Sequence, residues 1–347
     1  MSTLLFPDLL PPTRPALFLA PMQDVTDLPF MRVMAAMGGA DVYVTEYFRV
    51  YENSRLDPSI LRSVTENPTG RPVIAQMIGQ HPGALVHTVN ALKKHPVAGI
   101  DLNLGCPAPV VCRKDAGGGL LRKPDHIDHL LGLLREACGD LPFTVKTRVG
   151  YESPEEFDRL LEVFNKHAID LLTIHGRTVK ERYQTPVHTE RIRQAVEELL
   201  CPVIANGNVV NLESGLAYLD QSQAAGLMIG RGAIRHPWIF PKLRASFLGE
   251  EIPIITGRMI LDYISMLYEE TGREHQAFIE AKHVQKMKRY LVYIVQGHPP
   301  EFEHAIRRVK TREEFFGVCS EFLDHEEPSP ELPPENSKLF CGFSQFL

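Results

Sequence analysis

Cys106 lies in the run Asn103-Leu104-Gly105-Cys106-Pro107, directly after a short apolar segment. Most free cysteines are small buried hydrophobes, a reading that suits Cys112, Cys138, Cys201, Cys319 and Cys341. A thiol between glycine and proline at the end of a strand instead faces a site, and what it does there depends on the substrate. Other short apolar runs also end on polar groups: Pro21-Met22-Gln23-Asp24, Gln76, Lys146-Thr147-Arg148, His175-Gly176-Arg177, Asn206-Gly207-Asn208 and Gly230-Arg231-Gly232. The two glycine turns that close this series can cradle a phosphate on backbone N–H groups, with Arg231 adding a bidentate contact. No G-x-G-x-x-G follows a strand, and neither a P-loop nor a G-x-S-x-G is present, so neither a Rossmann nucleotide site nor a serine hydrolase is supported. His126 and His129 share a helical face without a third ligand, so no metal is expected.

The elements that position these residues read as eight strands: 16–20, 42–45, 73–77, 99–103, 143–148, 170–175, 202–206 and 225–230. Each is short and nearly continuously apolar, as parallel strands buried on both faces are. Helix signals separate them: Asp27 before Leu28-Pro29 with Gly38 closing, a Ser153-Pro154-Glu155-Glu156 capping box, and segments 81–95, 124–139, 189–200 and 212–223. Strict alternation through eight units favours an α/β protein with a closed (β/α)8 TIM barrel, which puts the site at the C-terminal strand ends. There Gln76, Asn103 and Lys146 offer donors and a cation suited to the carbonyl and N1 side of an isoalloxazine ring.

After Pro241 the strand pattern stops, and 257–271, 275–296 and 304–323 read as three amphipathic helices. The expected divisions are an extension over 1–15, a barrel over 16–241, a helical domain over 242–324 and a tail over 325–347. The stretch 325–337 holds four prolines and four glutamates and is expected to be disordered, while Leu339-Phe340 and Phe343 to Leu347 could dock. The 347 residues, 44% hydrophobic, suffice for one barrel with an appendage, and six dispersed cysteines suit a reducing compartment. No signal peptide or membrane span is evident, so a cytoplasmic monomer is expected.

Taken together, Leu19-Ala20-Pro21-Met22-Gln23-Asp24-Val25-Thr26-Asp27, Gln76-Met77-Ile78-Gly79, Asn103 to Pro107, Lys146 to Gly150, His175 to Thr178, Ala205-Asn206-Gly207 and Gly230 to Ala233 resemble the tRNA-dihydrouridine synthases. The resemblance spans about residues 16–320. It implies an FMN barrel with a helical RNA-binding domain that reduces uridine in tRNA using NADPH. At matching positions FMN would contact Pro21, Met22, Gln23, Gln76, Lys146, His175, Asn206, Gly207, Asn208, Gly230 and Arg231, with Cys106 the catalytic acid. Substrate would be met by Asn103, Arg148 and Arg177, the last able, like His175, to stabilise charge on a base carbonyl. Two departures stand out. Gln23-Asp24 replaces the usual Ala-Gly before Val-Thr-Asp, and Cys112 replaces a common Asn.

The net charge of −6 argues against nucleic acid, yet the stretch from Lys282 to Arg312 carries eight Lys/Arg against Glu301 and Glu303. With tRNA as substrate, Lys286, Lys288 and Arg289 on one helix become the expected phosphate-binding face. Two other readings stay open from the residues: a flavin barrel reducing a free pyrimidine or small enone, and a non-catalytic RNA-binding or chaperone protein on the same fold.

Overall fold

The computed structural model describes residues 9–183, 185–274 and 279–341. Most of the expected N-terminal extension, the start of the 275–296 helix and the end from residue 342 lie outside the described residues.

Nine parallel strands form one sheet: β1 Ala16–Leu19, β2 Val42–Val44, β3 Phe48–Arg49, β4 Val73–Ile78, β5 Gly99–Asn103, β6 Phe143–Arg148, β7 Leu171–His175, β8 Val203–Asn206 and β9 Gly226–Ile229. Their order is β2-β1-β9-β8-β7-β6-β5-β4-β3, and β2 also pairs with β4 in the register Tyr43 to Val73. That pairing closes the eight expected strands into a barrel. The two-residue β3 is an addition at the C-terminal end of β4, pairing Phe48 with Met77.

Alternation along each strand divides its side chains between the bore and the surrounding helices. Leu17 and Leu19 pack outward into the main core, while Ala16, Phe18, Val42, Val44, Ile74, Leu171, Ile204 and Met228 pack together as a separate inner cluster. On β4 to β7 the same alternation also buries polar groups, Gln76, Asp101, Asn103, Thr144, Thr173 and His175, beside the apolar Ile74 and Leu171. The bore thus combines apolar packing with polar groups that need partners.

The helices are α1 Leu28–Ala36, α2 Pro58–Thr65, α3 Pro82–Leu92, α4 Pro109–Cys112, α5 Pro124–Cys138, α6 Phe157–Asn165, α7 Thr189–Glu198, α8 Leu212–Ser222, α9 Arg231–Arg235, α10 Ile239–Leu248, α11 Gly257–Glu274, α12 Glu280–Ile294, α13 Pro300–Ile306, α14 Arg312–Leu323 and α15 Lys338–Cys341. Asp27 accepts the Phe30 N–H as the cap of α1, with Pro29 in its first turn. Ser153 caps a short 3-10 turn, and Glu156 reaches back past it to the N–H groups of Tyr151 and Glu152. α10 runs across the expected boundary at 241 and packs on α8 and α9. α11 packs on α1 and α12 on α9, so the helical appendage docks beside the first and last barrel units. No helix among the described residues is long and apolar enough to cross a membrane.

One expectation is corrected. The single helix expected over 304–323 is two, because Thr311 and Glu314 form a reciprocal capping box that starts a new helix. Beyond α14 the chain lies against the protein as far as Cys341. Buried Arg235 donates to the carbonyls of Pro330 and Glu331 as well as Gln296, Lys242 pairs with Glu331, and Ser337 donates to Gln296. A buried guanidinium needs acceptors, and the proline-rich strap supplies carbonyls that no helix or sheet uses.

Candidate active site

The C-terminal strand ends surround a cavity of about 460 Å3. Of the expected residues it is lined by Pro21, Met22, Gln23, Asn103, Cys106, Lys146, Arg148, His175, Asn206, Gly207, Asn208, Gly230 and Arg231. Gln76, Arg177, Lys286, Lys288 and Arg289 do not line it.

Gln76 is fully buried behind the wall. Its amide donates to Asp101 Oδ2 (2.8 Å) and its oxygen accepts from Asn103 Nδ2 (2.8 Å). Asn103 Oδ1 then accepts the backbone N–H of Gly105 (3.0 Å) and of Cys106 (2.9 Å). The chain Asp101, Gln76, Asn103 therefore fixes the backbone that carries the thiol, and the Asn103 side chain is occupied by this task. Asp101 also accepts from Thr144 Oγ1 (2.6 Å), and burial pushes its carboxyl up to about 6.

Arg148 is almost fully buried and donates to the carbonyls of Gly105 (2.8 Å), Thr178 (2.9 Å) and Arg182 (3.0 Å). It clips the Cys106 loop to the loop after β7. Arg177 donates to the Thr185 carbonyl and to Asn208 Oδ1, so it shapes the turn after β8 instead of facing a ligand. Burial, with Arg148 adjacent, lowers Lys146 to about 8, which leaves it mostly protonated near neutrality. Burial first, then Arg148 and Lys146, push His175 well below its ordinary value, so its imidazole is neutral.

The turns after β8 and β9 press on each other. Gly207 has φ +138, and a Cβ there would meet Val187 at 2.9 Å and His175 at 3.1 Å. A Cβ on Gly232 would lie 2.2 Å from the Val209 carbonyl oxygen. Glycine alone fits against these side chains at the first turn and against the Val209 backbone at the second.

At the unusual Gln23-Asp24, Asp24 adopts φ +62, a left-handed conformation that aspartate tolerates better than most residues. The turn is secured from the appendage. Lys286 donates to the Asp24 carbonyl (2.7 Å) and pairs with Asp27 (2.7 Å), and Arg289 lies 3.7 Å from Asp24. Lys288 donates to the carbonyls of Arg307 (2.9 Å) and Val309 (2.6 Å), satisfying acceptors where α13 ends. On the helix expected to face RNA, the ammonium groups of Lys286 and Lys288 thus make these bonds within the protein. Exposed Lys282, Arg289, Arg307, Arg308, Lys310 and Arg312 carry the remaining positive charge of that stretch, with Arg307 paired to Glu303.

The side chains that sequence reasoning missed include those of Tyr47, Arg182, Tyr183 and Tyr293. The strand-end rule applied to β2 points to Glu46 and Tyr47. Glu46 accepts the Val25 N–H (3.1 Å), and burial, then Asp27, pushes its carboxyl up to about 8. Tyr183 lies under the guanidinium groups of Arg231 (4.5 Å) and Arg148 (5.5 Å). Tyr293 comes from the appendage, where no local pattern marks it, and Leu339, expected to dock without a stated place, comes from the strap.

The chain matches the family described as dihydrouridine synthase (Dus) over residues 18–327. It belongs to the dihydrouridine synthase family. Similar proteins of that kind include the tRNA-dihydrouridine(16) synthase of Haemophilus ducreyi, 30% identical over 88% of this chain and 93% of that one. The tRNA-dihydrouridine(16) synthase of Pasteurella multocida is 31% identical over 81% of this chain and 90% of its own. Among solved structures, a 2-naphthoyl-CoA reductase aligns with TM-score 0.52 at 12% identity, covering 68% of this chain and 50% of that chain, a likeness of fold alone. The span shared with the dihydrouridine synthase family ends before the 328–341 strap, so Leu339 enters the cavity from outside that span.

Proposed function

We propose that this protein reduces uridine in tRNA to 5,6-dihydrouridine, with FMN in the barrel mouth and NADPH as reductant. The observation that carries the reading is Cys106 in the wall of a cavity that also holds Lys146, a neutral His175, Arg231 and two glycine-only turns. The donor set and the close approach at Gly207 and Gly232 fit a flavin phosphate and ring. Pro21, Met22, Gln23, Lys146, His175, Asn206, Gly207, Asn208, Gly230 and Arg231 would hold it, and Gln76 would act from behind through Asn103.

When bound and reduced, FMN supplies hydride to C6 of the conjugated base. Negative charge then collects over C5 and O4 of uracil, and Cys106 delivers a proton to C5. The bonds from Asn103 to the backbone N–H of Cys106 hold that thiol in place, and Arg148 locks the same loop through Gly105. Lys146, still charged near neutrality, supports negative charge in the bore. The uridine must leave the folded tRNA to enter the mouth, and exposed cations must grip the backbone while it does.

The deciding experiment maps dihydrouridine by mass spectrometry in tRNA from cells lacking the protein. Loss is expected at one site, with position 16, named for both relatives above, the first to examine. Purified protein should form dihydrouridine in transcript tRNA with NADPH and leave free uracil and uridine unchanged. An unaltered modification map together with turnover on free uracil would reject the reading.

A further inference from the structure

A second cavity, of about 320 Å3, adjoins the catalytic one, and Pro107, Pro109 and Arg182 line both. Its wall also carries Arg113, Arg122, Lys180 and the ring of Tyr151, and no acidic residue lines it. Two nearby carboxylates offset part of the charge: Asp115 pairs with Arg122 at 2.7 Å, and Glu152 lies 3.4 Å from Lys180. Among the described residues, no ion pair engages Arg113 or Arg182. Two guanidinium groups are therefore left uncompensated in a concave site that opens beside the catalytic loop.

The frame of this site is built before any ligand arrives. Arg122 donates to the carbonyls of Cys112 (2.8 Å) and Gly119 (3.2 Å) and lies 4.6 Å from the centroid of the Tyr151 ring. The opposite wall is held by backbone bonds from Val179 to Gly150 (3.0 Å) and from Lys180 to Tyr151 (2.9 Å). A concave site with a braced frame and surplus guanidinium charge suits the fork geometry by which arginine binds phosphate oxygens.

We propose that this second cavity is a subsite for a nucleotide phosphate, bound while the reacting base occupies the catalytic cavity across Pro107. The proposal rests on the functional reading above. A phosphodiester flanking the reduced uridine and the ribose 2′-phosphate of the reductant share the required chemistry, and the wall common to both cavities suits the first.

The test uses flavin-loaded protein carrying Arg113→Gln with Lys180→Gln, and a charge-preserving control with Arg113→Lys and Lys180→Arg. Both positions are exposed, so the flavin spectrum and content should match wild type. In the first arm, tRNA affinity is measured between low and moderate salt. A flanking phosphodiester predicts roughly tenfold weaker binding and a log–log salt slope shallower by about 1 to 2, largely restored in the control. In the second arm, flavin reduction is followed against NADPH and NADH without RNA. A bound 2′-phosphate predicts weaker saturation by NADPH and no change with NADH. Unchanged behaviour in both arms overturns the proposal while leaving the functional reading intact. Wild-type protein that binds neither flavin nor tRNA overturns that reading, and the proposal with it.

Discussion

The strand ends of the barrel and the helix α12 both present polar and basic side chains at intervals that suggest ligand contact, yet they use them in opposite ways. At the barrel mouth Cys106, Lys146, His175 and Arg231 line an open cavity, and the Cys106 backbone is held by Asn103 and Gln76 behind it. On α12, Lys286 and Lys288 direct their ammonium groups at carbonyls of the protein itself. The difference teaches that a cation is available to a ligand only if the fold leaves no closer acceptor. The second cavity, with Arg113 and Arg182 outside any ion pair, belongs with the barrel mouth in this respect.

The largest expected effect lies at the strand ends. Cys106→Ala should lower dihydrouridine formation by about 100-fold or more while flavin binding persists, because the bonds to Asn103 use the backbone of residue 106. Tritium or mass-spectrometric product assays check this, and full turnover would remove the acid assignment. Cys112→Ala should retain most activity, since that thiol is buried and makes only a long contact to the Cys106 carbonyl (3.4 Å).

Next comes the layer behind the wall. Gln76→Leu leaves Asp101 and Asn103 each short of a partner and should destabilise the fold by about 2–4 kcal/mol in urea titrations. It should also reduce kcat by loosening the Cys106 backbone. A loss of flavin affinity with stability and kcat unchanged would return Gln76 to direct cofactor contact.

At the junction of barrel and appendage, Glu46 gives a pH-dependent test. Its carboxyl holds a proton in the folded state up to about 8, whereas the ordinary value is 4.5. The folded state thus binds more protons than the unfolded state between those values, and wild-type stability falls as pH rises through that window. Glu46→Gln keeps an acceptor for the Val25 N–H and does not titrate. Its unfolding free energy in urea should match wild type near pH 4.5, then exceed it increasingly up to about pH 8, by on the order of a few kcal/mol. A difference independent of pH would mean that Glu46 is ionised throughout.

The smallest effect is expected on α12. Lys288→Met should cost about 1 kcal/mol of stability through its lost bonds to Arg307 and Val309, without changing the salt slope of tRNA binding. A shallower slope at unchanged stability would restore it to the RNA-facing set and erase the contrast between the two regions.

The amino-acid sequence by itself determined the barrel and the identity of most of its mouth. Alternating burial along short apolar strands is a local property, and polar residues at their ends mark the open face without knowledge of any partner. The same rule would have reached Tyr47 had it been applied to the second strand. Tertiary structure alone decided which of the polar residues line the cavity. Gln76 and Arg177 sit at the right strand ends but bond to neighbours, and Lys286 finds Asp27, 259 positions away in the chain. It likewise decided that Tyr293 and Leu339 enter the cavity and that Arg235 bonds to the proline-rich strap. The physical reason is that a hydrogen bond depends on distance and direction between groups, which sequence spacing encodes only within one element.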